Sequence, residues 1–343
     1  MSDSTLPAPN ELPTVSQRRS AAATTVLVVI WSVDEPERLG ELVLLPSDGR
    51  PGILGRGSQE DESSETVRLA LVQQRPGSNT TTAQLTGQHI SRQQLQISRG
   101  SRHGLSINNI GRCPMLVNGK TCEAAELVPG DVLEVKNQIA FVCVRRIRTL
   151  PVIPDCTVKT FGECDAHGIV GESQEAWQLR SAIARLSGRS AHVLIHGPSG
   201  SGKELIAQAL HQVKAQNGPI VSRNAATLPE SLLDAELFGN LRNYPNPGMT
   251  ERAGLVGDAN GGTLFLDEIG ELPSTAQAHL LRVLDSGEYQ RLGESRTRRS
   301  QFRLIAATNR DPTRLKSDLA ARMKLRIAVP GLNGRPEDVP LIA

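Results

Sequence analysis

Residues 193–204 read Val-Leu-Ile-His-Gly-Pro-Ser-Gly-Ser-Gly-Lys-Glu. A short apolar strand runs into a loop with glycines at 197, 200 and 202, and after Lys203 the apolar positions Leu205, Ile206, Ala209, Leu210 and Val213 keep helical spacing. Such a loop, Gly197, Pro198, Ser199, Gly200, Ser201, Gly202, Lys203 and Glu204, can curl its backbone N–H groups around an anion, with Lys203 as a point charge for the outer phosphates. Further on, Gly261 to Glu268 read Gly-Gly-Thr-Leu-Phe-Leu-Asp-Glu, an apolar strand ending in two carboxylates. Asp267 is placed to hold Mg2+ through water and Glu268 to polarise a water that attacks a terminal phosphate. A third strand, Phe302 to Thr308, ends at Asn309, and a parallel neighbour would bring that amide beside the same water. Alone, the first motif fits an ordinary turn and the second a solvated strand end; their shared order and apolar flanks favour one nucleotide-hydrolysing site. Glu204 stands where the general P-loop has a metal-ligating Ser or Thr.

The chain has 343 residues, enough for two domains with substantial cores. With 38 basic against 36 acidic residues, its bulk charge argues for no nucleic-acid partner. Five cysteines without C-x-x-C spacing fit reduced thiols and a cytoplasmic protein. Cys156, Cys164 and His167 do not complete a tetrahedral metal set. The longest apolar run, Val26 to Trp31, is too short to span a bilayer, and the polar N-terminus has no signal-peptide pattern, so no membrane association is expected.

Residues 1–24 are rich in Ser, Thr, Pro and Ala without period, which predicts a disordered tail. From 25 to 148 short β-type runs follow one another, at Val26–Ser32, Glu41–Leu45, Val67–Gln73, Leu95–Ser98, Leu105–Ile107, Val132–Val135 and Ile139–Arg145, predicting an all-β sandwich. Residues 149–167 read as a linker. From 168 to 343 helix and strand alternate, with Ser173 as a helix cap and strands near 193, 220, 264, 304 and 327. That alternation predicts an α/β domain, a parallel sheet with helices on both faces and nucleotide at the carboxyl ends of its strands. The basic run Arg296, Arg298, Arg299 and Arg303 reads as a solvated loop before a strand.

The motifs Gly168-Ile-Val-Gly-Glu-Ser173, Gly197 to Glu204, Glu236-Leu-Phe-Gly239, Gly262 to Pro273, Leu280-Leu-Arg-Val-Leu284, Ala306 to Arg310 and Glu337-Asp-Val-Pro340 together resemble the AAA+ domain of bacterial enhancer-binding proteins, the ATPases that activate sigma-54 RNA polymerase. The resemblance implies ATP with Mg2+ and hydrolysis coupled to remodelling of the sigma-54 holoenzyme. It also implies a homo-oligomeric ring whose site is completed in trans. In that family's terms Asn224 restrains the catalytic glutamate, Arg322 is a finger reaching the neighbouring γ-phosphate, and the other finger position falls on Lys316. Glu204 becomes a family mark. The family's sigma-54 contact loop, Gly-Ala-Phe-Thr-Gly-Ala, corresponds here to Asn243-Tyr-Pro-Asn-Pro-Gly248 and is not retained. The segment that normally leads into the family's lid is where the chain stops, at Ala343, so the lid is expected to be missing. No helix-turn-helix pattern occurs, so no DNA-binding domain is expected from this chain.

The N-terminal half resembles a forkhead-associated domain, a phosphothreonine-reading sandwich. The resemblance rests on Gly55-Arg56, Gly57-Ser58, Ser91-Arg92, Val117-Asn118-Gly119 and Pro129-Gly-Asp-Val-Leu133. It implies phosphopeptide contacts from Arg56, Ser91, Arg92 and Asn118. Gln94 replaces that family's histidine, and its Asn-Gly falls on Cys113-Pro114. Two functions stay open on these residues: a transcriptional ATPase controlled by a phospho-sensing sandwich, and a nucleotide-binding module that joins full-length relatives without remodelling polymerase.

Overall fold

The computed structural model describes residues 23–57, 65–154, 160–186, 188–213, 218–311 and 315–343. The tail as far as residue 22, Ser58 and Cys156 lie outside them. Contacts divide the chain into two compact units: residues 182–331, and residues 19–181 together with Leu332–Ala343.

Among the described residues the second of these units has thirteen strands: β1 Thr24–Ser32, β2 Leu42–Val43, β3 Gly52–Leu54, β4 Val67–Arg68, β5 Leu71–Arg75, β6 Ser78–Thr81, β7 Leu95–Arg99, β8 Leu105–Asn109, β9 Met115–Val117, β10 Lys120–Cys122, β11 Ala124–Leu127, β12 Val132–Val135 and β13 Ile139–Arg146. They form two sheets, ordered β10-β9-β12-β13-β1-β2-β5-β6 and β11-β8-β7-β3-β4. Leu27, Val29, Leu95, Ile97, Ile107, Leu133 and Phe141 fill the layer between them. The continuous apolar run of β1 has a reason beyond that layer: Val26 and Val28, on the opposite face, are buried with Leu42, Val142 and Val144. The segment 336–342 packs against β1 within the same unit.

Helix α1, Gln174–Leu186, begins where the cap was expected, with Ser173 Oγ accepting from Ala176 N at 3.0 Å. A buried carboxylate reinforces that cap. Asp338 Oδ1 accepts from Glu172 N at 2.8 Å and from Ser173 N at 2.9 Å, and its Oδ2 accepts from Ser173 Oγ. An anion at a helix N-terminus is favourable by charge as well as by hydrogen bond. Gly171 approaches the same carboxylate so closely, at φ +125°, that a Cβ would stand 2.5 Å from Asp338 Oδ2. Beside it lies Arg146, the last residue of β13, 1% exposed; its Nη2 donates to Glu172 O and its Nε is 3.8 Å from Glu337 Oε1. Burial pushes the Glu337 carboxyl up to about 7 despite the Arg146 charge.

The unit of residues 182–331 holds a five-stranded sheet, β15-β16-β19-β14-β20, whose paired strands all run parallel. Its elements are β14 Val193–His196, α2 Lys203–Val213, β15 Ile220–Asn224, α3 Leu233–Phe238, α4 Leu255–Asp258, β16 Thr263–Asp267, α5 Ser274–Ser286, β17 Glu288–Tyr289, β18 Arg298–Arg299, β19 Arg303–Thr308, α6 Ser317–Arg322 and β20 Leu325–Ala328. Leu237 of α3, Leu280 and Val283 of α5 and Leu319 of α6 are buried with Leu264, Leu266, Leu304 and Ala306 of the sheet. Helix α2, with Ile206, Ala209 and Leu210 buried, packs on strands β14, β16 and β19. All six residues of β19 are buried, which is why the sequence shows no alternation there. The helix-strand alternation read from the sequence is therefore present at each expected strand.

One expectation is corrected. Arg303 does not belong to a solvated basic loop: it is 2% exposed and donates to Leu186 O, Ala191 O and Leu210 O, the first and last of these lying in the closing turns of α1 and α2. A buried guanidinium suits carbonyls left over at helix ends. Arg298 and Arg299 pair instead with Glu294 and Glu288.

Candidate functional site

The parallel registers decide the geometry. Asn224 lies opposite Asp267 on β15 and β16, and His196 opposite Thr308 on β14 and β19. The glycine loop, the paired carboxylates, Asn224 and Asn309 thus all stand at the carboxyl end of one sheet.

Gly200 and Gly202 have φ of +73° and +92°, backbone that side chains resist. Gly197 is required for a different reason, since a Cβ there would meet Val329 O at 2.3 Å. Lys203, 6% exposed, begins α2 and donates from Nζ to Gly197 O at 3.1 Å and Pro198 O at 3.0 Å. Its ammonium therefore spans the loop mouth. Ser201 Oγ is buried without a hydrogen-bond partner among the described residues, a donor left over inside the loop. These features fit a phosphate chain: unspent loop donors, a lysine bound only to carbonyls, and the N–H groups opening an eleven-residue helix. Glu204 lines a cavity of about 190 Å³ between α2 and β15, together with His211, Ser222 and Phe265.

Asp267 Oδ1 accepts from Glu268 N at 3.0 Å, which leaves its other oxygen for a metal-bound water. Glu268 sits in the left-handed region at φ 50°, ψ 45°. Its Oε2 accepts from Asn309 N at 3.1 Å. Asn224 is occupied locally, its Oδ1 accepting from Ala226 N at 2.9 Å. The sequence reading missed Thr308, whose carbonyl accepts from Gly197 N at 3.2 Å and whose hydroxyl accepts from Arg310 N at 3.1 Å. Through Thr308 and Asn309 the start of the glycine loop is bonded, residue by residue, to the carboxylate of Glu268. No motif marks a threonine inside an apolar strand for this work.

Lys316 and Arg322 lie on α6 or at its cap, beside α5. Lys316 Nζ donates to Ser274 O at 2.8 Å, and Arg322 holds Asp285 through Nε to Oδ1 at 2.6 Å and Nη2 to Oδ2 at 3.1 Å. The segment 240–250 is a closed turn. Asn240 is fully buried and donates to Leu241 O and Thr250 O, Asn243 N bonds Met249 O, and Gly248 N bonds Asn243 Oδ1. Tyr244 lies on Gly293, where a Cβ would be 2.7 Å from its ring.

In the sandwich unit, Arg56 and Ser91 are brought together, Arg56 N donating to Ser91 O at 3.1 Å. Arg68, 6% exposed, donates to the carbonyls of Arg56 and Arg92 and ties their loops. Asn118, in the turn between β9 and β10, is engaged elsewhere: its Nδ2 donates to Asp131 Oδ1 and its Oδ1 accepts from Val132 N at the start of β12. Gln94, the apparent defect in the sequence, is 1% exposed. It donates to Asn109 Oδ1 at 2.7 Å and Cys113 O at 2.8 Å, and accepts from Ser91 N at 3.0 Å. One amide thus fixes the Ser91 loop against the 109–113 loop, and Ser91 Oγ accepts from Arg112 N at 2.9 Å.

Among the described residues no helix is long and apolar enough to cross a membrane. Residues 169–329 match the family described as Sigma-54 interaction domain. The chain is 43% identical over 183 residues to the anaerobic nitric oxide reductase transcription regulator NorR of Serratia proteamaculans, covering 51% of this chain and 36% of that protein. It is 44% identical over 184 residues to the transcriptional regulatory protein ZraR of Escherichia coli K12, covering 51% and 42%. The crystal structure of NtrX from Brucella abortus with ADP is 34% identical, with 50% of this chain and 39% of that one covered, at a TM-score of 0.46. The chain therefore spans well under half the length of the curated relatives it matches. Its C-terminal half carries a sigma-54 interaction domain, homologous to those of the NorR and ZraR regulators.

Proposed function

We propose that this chain is an ATP-hydrolysing transcriptional regulator of the sigma-54 activator type, working as a ring controlled by its N-terminal sandwich. The observation that carries the reading is the bonded path from the phosphate loop through Thr308 and Asn309 to the Glu268 carboxylate, all at the carboxyl end of one parallel sheet.

The loop N–H groups and the start of α2 bind the phosphates, and Lys203 exchanges its two carbonyl partners for phosphate oxygens. Asp267 would hold Mg2+ through water, the metal supplying neutralisation of phosphate charge. Glu268 orients the attacking water and takes its proton, while Asn309 N fixes the carboxylate. Arg322 of one subunit completes the neighbouring subunit's site.

The relatives' names, transcription regulators in each case, support the polymerase side of the reading. In the sandwich, Arg56 and Ser91 take a phosphothreonine protein partner, with Gln94 doing the bracing that the forkhead-associated histidine would do. A second reading is favoured by the turn at 243–248. Its internal bonds and the Tyr244–Gly293 contact suit a fixed surface, as expected of a nucleotide-binding module that joins longer relatives without remodelling polymerase.

Steady-state ATPase measurement across protein concentration tests both. Turnover per subunit that rises with concentration, and that Glu268→Gln abolishes while retaining ATP binding, supports the ring ATPase. Binding without turnover in the parent chain supports the module, and equal turnover in parent and Glu268→Gln sinks the assignment of the glutamate.

A further inference from the structure

We infer that Asp285 is a resting partner for Arg322, holding the finger arginine within its own subunit until a neighbour's phosphate replaces it. The inference rests on the ring-ATPase reading and adds a residue that no motif marks.

Two independent observations support it. The contact is bidentate, Nε to Oδ1 at 2.6 Å and Nη2 to Oδ2 at 3.1 Å, so it uses the forked donors that a phosphoryl group would need. Neither side chain has another hydrogen-bond partner among the described residues, and a guanidinium whose Nε and Nη2 face a carboxylate cannot present the same pair to a phosphate. The position of Asp285 is also unfavourable on its own account. It is the penultimate residue of α5, in the turn closed by the left-handed Gly287, where unpaired carbonyls already concentrate negative charge. A carboxylate there gains from a cation, and Arg322, itself the last residue of α6, supplies one. The other finger position repeats the arrangement at the opposite end of the same helix, with Lys316 Nζ on Ser274 O at 2.8 Å. Helix α5 thus engages both cations in cis.

The strength of the contact suits a rest that must be given up. The two side chains are 51% and 40% exposed. Exposed pairs of this kind are weak, shifting an equilibrium by at most about fivefold. That is enough to favour the cis contact in isolated subunits and too little to outlast a γ-phosphate at a formed interface.

The test is steady-state ATPase activity of the full chain across protein concentration, for the parent, Asp285→Asn, Asp285→Glu, Arg322→Ala and the Asp285→Asn/Arg322→Ala double variant. Asp285→Asn should reach half-maximal turnover at a lower protein concentration, by up to about fivefold, with saturating kcat within about twofold of the parent. Asp285→Glu should restore the parent's concentration dependence, and the double variant should be as inactive as Arg322→Ala. A half-maximal concentration in Asp285→Asn equal to or above the parent's overturns the inference while leaving the ATPase reading intact. An inactive parent overturns the ATPase reading and the inference with it, and parental turnover in Arg322→Ala overturns the finger role of Arg322 and hence the inference, leaving the ATPase reading intact.

Discussion

Glu337→Gln should make the sandwich-containing unit more stable at alkaline pH and remove part of its pH dependence. Glu337 is 4% exposed, and burial raises its carboxyl from the usual 4.5 to about 7, with Asp338 and Glu175 adding repulsion and Arg146 only partly offsetting them. A carboxyl with a raised folded pKa holds its proton more tightly in the native state than in the unfolded chain. Stability from this group is therefore full below about pH 4.5, declines as pH rises through the window from 4.5 to 7, and stays low above it. A shift of about 2.5 units corresponds to about 3 kcal/mol, an upper bound because unfolded-state structure and local rearrangement reduce it. Glutamine keeps the volume and carries no charge at any pH. The variant should come closest to the parent at or below about pH 4.5 and exceed it by about 1–3 kcal/mol at pH 8. Urea unfolding at fixed ionic strength and several pH values, followed by tryptophan fluorescence, reads this unit selectively, because both tryptophans of the chain, Trp31 and Trp177, belong to it. Buried Glu172 and half-buried Glu175 are raised as well, so the informative quantity is the difference between parent and variant. Parallel stability curves between pH 5 and pH 8 would refute the argument.

Three further perturbations have expected outcomes. Gly171→Ala forces a Cβ to within 2.5 Å of the Asp338 carboxylate at φ +125° and should lower the same unfolding free energy by about 2–4 kcal/mol; a melting temperature unchanged within a degree would contradict the geometry. Arg303→Met leaves three carbonyls without their common donor and should destabilise the 182–331 unit by about 2–4 kcal/mol, seen as faster hydrogen exchange at the ends of α1 and α2. Gln94→Ala removes the amide between the Ser91 and 109–113 loops and should weaken binding of phosphothreonine peptides at least tenfold by fluorescence anisotropy, whereas Gln94→His should retain more of it.

The features behind the proposed nucleotide site were visible in sequence because they are local: glycines at 200 and 202 are required by backbone angle alone, and an apolar strand ending in Asp267-Glu268 announces both depth and exposure. What could not be read depends on contacts distant in sequence. Arg303 looked like one more cation in a basic loop because nothing nearby reveals that the carbonyls of Leu186 and Leu210 converge on it. Strands β3, β6, β9, β10 and β11 were missed because each is only three or four residues long and several carry polar side chains, as in the fully exposed Ser78–Thr81. Gln94 was read as a lost histidine, since a pattern compares residue types, whereas the fold needs only donors and an acceptor between two loops. The contacts that group residues 168–181 and 332–343 with the sandwich strands were likewise invisible in sequence, because Asp338 reaches the start of α1 from at least 165 residues away.

The backbone at Glu268 explains how a strand end becomes a directed carboxylate. A non-glycine residue in the left-handed region costs about 1 kcal/mol or more and persists where its surroundings hold it there. Three contacts do so: Asp267 Oδ1 accepts from Glu268 N, Glu268 O accepts from Glu271 N at 2.9 Å to close the following turn, and Asn309 N holds the side chain. The reversal turns the chain away from the sheet just after β16, so that Glu268, following Asp267 at the strand's end, does not continue the strand's alternation between its two faces. A glycine at 268 would relieve the strain and lose the carboxylate, whereas an alanine would keep the strain and lose its compensation from Asn309. Asp267→Asn is the more searching probe of the turn: it preserves an acceptor for Glu268 N, so a fold-neutral loss of turnover would separate the charge of Asp267 from its part in aiming Glu268.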